Sequence, residues 1–253
     1  MKEKNMIFGL RAVIEAIDAG KEIDKIIIRR ELGGELAREL YDKIKPLQIP
    51  VQRVPQEKLN YLTQKNHQGV IAFISPIVYQ NIAHIIPAVY ESGRTPLVVA
   101  LDGITDVRNF GAIARTCECA GVDAVVVPTK GGAAANADAI KTSAGALHTI
   151  PVCRETSLTS TVRFLQNSGL QVIAATEKSR KPYYEINYNI PTAIVFGSED
   201  EGISPDVLRL CNEVVAIPII GNIQSLNVSV AAGVLIYEAI KQRNKITSLE
   251  VLK

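Results

Sequence analysis

Residues 96–128 read PLVVALDGITDVRNFGAIARTCECAGVDAVVVP. An apolar run stops at Asp102–Gly103, a polar loop follows, ARTCECAG continues as helix, and a second apolar run begins at Asp123. Both runs are apolar at consecutive rather than alternate positions. A strand written that way has both faces covered, which is the condition of a parallel sheet between helices. Working outward, TIPVC (149–153), LQVIAAT (170–176), TAIVFG (192–197) and EVVAIPI (213–219) read as further strands of this sheet. Between them, SLTSTVRFLQNSG (157–169), SPDVLRLC (204–211) and LNVSVAAGVLIYEAIKQR (226–243) have helical spacing, and ADAIKTSAGAL (137–147) reads as helix or turn. The fold class is α/β, and ligands of such sheets bind beyond the carboxyl ends of the strands.

Before Pro96 the rhythm is shorter. GLRAVIEAIDAG (9–20) is a helix stopped by Gly20, KIIIRR (25–30) a strand, and ELGGELARELYDKIK (31–45) a helix. IPVQRV (49–54) is a strand, PQEKLNYLT (55–63) a helix with Pro55 in its first turn, and GVIAFI (69–74) a strand. This pattern predicts a small α/β domain over 1–76, a linker with a connecting helix over 77–95, and a larger domain over 96–253. The final ITSLEVLK reads as a loosely held tail.

A chain of 253 residues with 47% hydrophobic content is long enough for a substantial core. The net charge of +2 is too small to identify a partner class. Cys117 and Cys119 form a C-x-C with no second pair at finger spacing, so no metal site is expected. Unpaired thiols suit a reducing compartment, and the N-terminus lacks the apolar region of a signal peptide. No apolar stretch is long enough to cross a membrane, so a cytoplasmic protein is expected.

Three loops carry the polar groups. In LDGITDVRNFGAIARTCECAG (101–121), Asp106 or Asn109 can cap the helix and Gly111 permits close packing. Arg115 can reach back toward that loop, although a helical arginine is also ordinary surface. IVFGSEDEGIS (194–204) ends a strand on glycine, then places three acids before another glycine. Acids there also suit a following helix N-terminus. IPIIGNIQSLNVSVAAGVLIYEAI (217–240) sets Ser225, Asn227 and Ser229 at the mouth of an apolar helix, where one cap would suffice. Neither G-x-G-x-x-G nor G-x-x-x-x-G-K-[ST] occurs, which disfavours dinucleotide and P-loop readings, a nicotinamide enzyme included.

Together these loops resemble the three motifs of the SpoU family of RNA ribose 2′-O-methyltransferases, also called the TrmH family. NFGAIAR (109–115) is similar to the first motif, FGSEDEG (196–202) to the second and IPIIGNIQSLNVSVA (217–231) to the third. IFGLRAVIEA (7–16) and HQGVIA (67–72) resemble a ribosomal L30-like RNA-binding domain, which precedes the catalytic domain in the branch that modifies a guanosine of 23S ribosomal RNA. The chain departs from the family pattern at Asp200, often glycine, and at Val107–Arg108, usually Pro-His or Pro-Arg.

The resemblance implies a trefoil-knotted catalytic domain, S-adenosylmethionine as cofactor, and a homodimer with its sites near the subunit interface. It implies catalytic roles for Asn109, Arg115, Glu199, Ser225 and Asn227. Thr176, Gly197, Ile217, Gly221 and Leu226 would border the cofactor. Arg115, beside an RNA phosphate, would lie near the attacking hydroxyl, and no metal is required. Arg11, Asn66, His67, Gln68 and Arg108 are candidate RNA contacts, with a structural turn the alternative for His67. The expected partner is 23S ribosomal RNA or a ribosome assembly intermediate. Transfer RNA as substrate, or a non-catalytic ribosome-associated RNA-binding protein, are the competing functions.

Overall fold

The structure, a computed structural model, describes residues 6–47 and 49–243, so the tail sequence ITSLEVLK lies outside the described residues. The chain divides into two compact units, Met1–Val78 and Tyr79–Lys253.

The first unit runs β1 (Met6–Phe8), α1 (Leu10–Asp18), β2 (Ile23–Arg29), α2 (Glu35–Leu47), β3 (Val51–Val54), α3 (Gln56–Leu62) and β4 (Val70–Ile74). Its sheet has the order β1-β4-β2-β3, with β2 and β3 parallel and the other pairs antiparallel. The consecutive isoleucines of β2 are explained by coverage on both faces. Ile26 and Ile28 pack with Val13, Ile14 and Leu40 under α1 and α2, while Ile27 packs with Val54, Leu59 and Ile71 on the other side. Strand β1 is not foreseen in the sequence reading, because three edge residues hold too little pattern. Pro55 sits at the N-cap of α3 rather than inside its first turn.

The second unit opens with α4 (Ile82–Glu91). That helix falls within the expected linker, yet its Ile82 and Ile86 belong to the unit's main core. There follow β5 (Leu97–Asp102), α5 (Val107–Cys119), β6 (Ala124–Pro128), α6 (Ala137–Thr142), β7 (Val152–Glu155), α7 (Leu158–Asn167) and β8 (Gln171–Ala175). The unit finishes with β9 (Thr192–Gly197), α8 (Pro205–Leu208), β10 (Glu213–Val215) and α9 (Val228–Arg243). The sheet order is β10-β8-β9-β5-β6-β7 and every pairing is parallel. Val98, Ala100, Val126, Val172 and Val195 are all buried in one core cluster, as the unbroken apolar runs require.

EVVAIPI is strand only over Glu213–Val215, because β10 is an edge strand whose continuation turns to bond the 181–183 segment: Ala216 N–H donates to Lys181 O and Tyr183 N–H to Ala216 O. The residues after α6 leave the helix through Ala144 (φ 50°) and Gly145 (φ 92°). Gly111 is required by packing, since a Cβ there would lie 2.6 Å from the carbonyl oxygen of Ala139 on α6. At the far end of α9, the Arg243 guanidinium donates to the carbonyls of Thr95, Pro96, Tyr188 and Ile190 at 2.7–2.9 Å. The helix is thereby tied to the segments that enter β5 and β9.

Candidate active site

Chain order reverses beside β5: β6 and β7 lie to one side, β9, β8 and β10 to the other. Asp102 at the end of β5 pairs with Gly197 at the end of β9, so the loops leaving these strands start side by side at the switch point. On the first loop, the Asp106 carboxylate caps α5 by accepting the Arg108 N–H at 2.7 Å. The backbone and side chain of Arg108 hold the Asp106 carboxyl below the usual carboxylate range. Asn109 stands in the first turn of α5.

The second loop is a tight turn in which Ser198 and Gly202 exchange backbone hydrogen bonds at 3.2 and 3.0 Å. Gly197 allows it: a Cβ there would lie 2.1 Å from the carbonyl carbon of Gly202. The turn presents Glu199. The third element is the start of α9, with Asn227 immediately before its first helical residue.

These three side chains meet. Glu199 Oε1 accepts from Asn227 Nδ2 at 2.6 Å and from Asn109 Nδ2 at 3.2 Å. Asn227 Nδ2 also reaches Asn109 Oδ1 at 3.1 Å. Asn227 Oδ1 in turn accepts from the backbone N–H and the hydroxyl of Ser229, at 2.9 and 2.5 Å. Among the described residues Glu199 Oε2 accepts no hydrogen bond, so one carboxylate oxygen is left for a ligand donor.

Two cavities flank this cluster, and residues 198–202 with Val228 line both. The first, of about 360 Å³, is bounded by Thr176, Gly197, Ile217, Ser225 and Leu226, with Phe196 and Leu235 among its apolar lining. The second, of about 490 Å³, is bounded by Asp102–Asp106, Asn109 and Ser204. Three of the four thiols are buried or half-buried and line neither cavity. Burial pushes Cys153 up to about 12 and Cys211 up to about 11, and pushes fully buried Cys117 up as well, so none is a thiolate nucleophile at neutral pH. Among the described residues no group of His, Cys, Asp and Glu is placed to hold a metal ion.

Residues 96–237 match the model of the SpoU rRNA Methylase family, and residues 6–80 that of RNA 2′-O ribose methyltransferase substrate binding. The chain belongs to the SpoU methylase family. A TrmH family tRNA/rRNA methyltransferase of Staphylococcus saprophyticus is 35% identical over 244 residues, spanning 96% of this chain and 98% of that protein. Among solved structures, an AdoMet-bound rRNA methyltransferase from Sinorhizobium meliloti superposes with a TM-score of 0.60 at 24% identity, covering 94% of this chain and 87% of the other. The TrmH/SpoU tRNA modifying enzyme of A. aeolicus is 31% identical with a TM-score of 0.55, and covers 59% of this chain and 76% of its own. The fold is the trefoil-knot class of these methyltransferases, as the three motifs imply.

In this SpoU methyltransferase, the motif residues fall into distinct places. Asn109, Glu199 and Asn227, one from each motif, form the bonded cluster. Ser225 lines the first cavity together with four of the five expected cofactor neighbours, Thr176, Gly197, Ile217 and Leu226. Gly221 does not line that cavity and lies on the exposed stretch leading to α9. Arg115 is exposed two turns along α5, lines neither cavity and has no hydrogen-bond or ion-pair partner among the described residues. The first cavity fits the family's methyl donor, S-adenosylmethionine: its apolar walls suit a flat adenosyl group, and its polar rim supplies the few orienting contacts such a ligand needs.

In the first unit, Arg11 and Asn66 are exposed, as is Arg108 in the second. His67 is only 5% exposed. Its Nδ1 accepts the Gly69 N–H at 3.0 Å, which leaves Nε2–H to donate to Asn60 Oδ1 at 2.9 Å. Burial, then the nearby Arg29, pulls its pKa below 6.5. Gln68 (φ 50°) spends its side-chain oxygen on the Leu10 N–H at 3.0 Å, at the start of α1. Both side chains hold the loop itself. Ser229 is a site residue that the sequence reading leaves without a role. Its signal was the surplus of polar residues at the helix mouth, and only the bond to Asn227 explains it.

Proposed function

We propose that this SpoU enzyme transfers the methyl group of S-adenosylmethionine to a guanosine ribose 2′-hydroxyl in 23S ribosomal RNA, as free RNA or in an assembling particle. The observation that carries the chemistry is that Asn109 and Asn227 bond Glu199, which stands on the wall shared by two cavities. One cavity can hold the donor and the other the nucleotide, so that the two reactants meet at the cluster. The sulfonium supplies an electrophilic methyl group that needs no metal.

The protein's own task is orientation and proton management. Asn109 and Asn227 hold Glu199 through its Oε1, and Glu199 Oε2 is free to accept a hydrogen bond from the nucleotide. Ser225 and Leu226 border the donor. Arg115 would orient an RNA phosphate and the attacking hydroxyl. A guanidinium carries N–H donors and no acceptor, so orientation and electrostatics outweigh literal proton abstraction.

The same reading includes a homodimer. Arg115 lines neither cavity of its own chain, and α9, which packs on α5, leaves Val230 and Tyr237 about half exposed, at 52% and 51%. A ribosomal rather than transfer RNA target is favoured by extent. The ribosomal enzyme above covers 94% of this chain and the transfer RNA enzyme 59%. Among the described residues no helix is long and apolar enough to cross a membrane, and ribosomal RNA as substrate implies the cytoplasm.

The test is methyl transfer from labelled S-adenosylmethionine to unmodified ribosomal and transfer RNAs side by side, with Arg115→Ala as control. Label in a large-subunit guanosine ribose that disappears with Arg115→Ala is expected. Label confined to transfer RNA would keep the chemistry and move the target. Absence of any transfer by a folded, donor-binding protein would leave a non-catalytic RNA-binding role.

A further inference from the structure

We infer that Ser229 is a positioning residue, which locks the side-chain amide of Asn227 in the one orientation that can hold Glu199. The inference rests on the methyltransferase reading above and adds a residue to it.

An asparagine amide has an acceptor end and a donor end of nearly identical shape, and rotation by half a turn exchanges them. At Asn227 the two ends face opposite demands. On one side lie Glu199 Oε1 and Asn109 Oδ1, both acceptors, at 2.6 and 3.1 Å from Nδ2. On the other lie the Ser229 backbone N–H, which can only donate, and the Ser229 hydroxyl, which donates here, at 2.9 and 2.5 Å from Oδ1. The flipped amide would set oxygen against a carboxylate and N–H against N–H.

The backbone N–H alone is an ordinary helix cap, available with almost any residue at 229. The hydroxyl is the part that the sequence specifies. It saturates Asn227 Oδ1 with a second donor, so a ligand carrying donors cannot draw the amide round when it enters the adjoining cavities. It also leaves the amide N–H groups to Glu199, which in turn frees Glu199 Oε2. Ser229 itself lines neither cavity, so its influence passes through Asn227.

The test is a double-mutant cycle on the full-length enzyme, read by single-turnover methyl transfer alongside donor affinity and thermal midpoint. Ser229→Ala is expected to slow transfer about tenfold, as a loosened catalytic group does, with donor affinity and midpoint unchanged. Ser229→Thr, which keeps the hydroxyl, should recover most of the rate. In an Asn227→Ala background, Ser229→Ala should have no further effect, because non-additivity marks residues that act as one unit. Equal fractional losses in both backgrounds, or no loss in either, would overturn the inference.

A second readout needs no turnover. The Asn227 side-chain NH₂ resonance, assigned by its absence in Asn227→Asp, should shift and broaden in Ser229→Ala and return in Ser229→Thr. An unchanged resonance would refute the role of Ser229 even if the wild type methylated no RNA, an outcome that would instead sink the methyltransferase reading.

Discussion

Two polar clusters, one in each unit, use the same chemistry to opposite ends. Around His67 the bonds go to the fold: the imidazole takes the Gly69 N–H and the Asn60 side chain, and the Gln68 oxygen takes the start of α1. Around Asn227 the groups bond mainly to each other, are open to solvent, and leave Glu199 Oε2 uncommitted at the junction of two cavities. Hydrogen-bonding residues in a loop are therefore no guide to function by type alone. What distinguishes the clusters is residual capacity facing space that a ligand can enter.

The contrast is sharpest if each cluster is cut at its centre. Asn227→Ala should lower single-turnover methyl transfer by roughly 100-fold or more, about 3 kcal/mol of transition-state stabilisation, while the thermal midpoint stays within about 2 °C. A large fall in midpoint would mean that this cluster too is structural. His67→Ala should do the reverse: strand the buried Gly69 N–H, cost about 2 kcal/mol of stability in the first unit and leave donor affinity intact, as denaturant unfolding and calorimetry would report.

A gentler break comes from pH. The folded-state pKa of His67 lies below its ordinary 6.5, so the unfolded chain takes up a proton first. Its stabilising contribution is full above about pH 6.5 and is lost as pH falls through the folded value. The stability difference between wild type and His67→Ala should shrink on going from pH 7 toward pH 5. A difference that is flat with pH would show that the ring is not held neutral.

The smallest effect concerns backbone strain. Gln68 and Ala144 are the two non-glycine residues with positive φ among those described, both at 50°. Gln68 recovers some of the cost through its bond to Leu10, and the methyl group of Ala144 recovers none. Ala144→Gly should therefore raise stability by about 0.5–1 kcal/mol, whereas Gln68→Gly should gain nothing because the cap is lost with the strain. Equal responses at the two sites would show that the Gln68 side chain does not offset its strain.

Much of the architecture is legible from residues alone. The four inner strands of the parallel sheet stand out because burial on both faces forces unbroken apolar runs such as VVAL (98–101) and VIAA (172–175). Where burial is one-sided or the strand is at an edge, the signal fails: β1 has three residues, and β10 stops at Val215 although the apolar run continues to Ile219. The site divides in the same way. Motif resemblance picks out Asn109, Glu199 and Asn227, residues 90 and 118 positions apart along the chain. No local rule says that they touch.

The sequence by itself determined the α/β class and the parallel order of helices and strands, because burial periodicity is local, and its three short motifs named the side chains to expect at the site by resemblance alone. Tertiary structure alone decided that Gly197 must be glycine, that the Asn227 amide bonds Glu199, that Ser229 holds it there, and that Arg115 stands outside both cavities. Those facts depend on the distances between strand ends brought together by the β5–β9 pairing, and a separation of 90 residues in sequence carries no record of 3.2 Å in space.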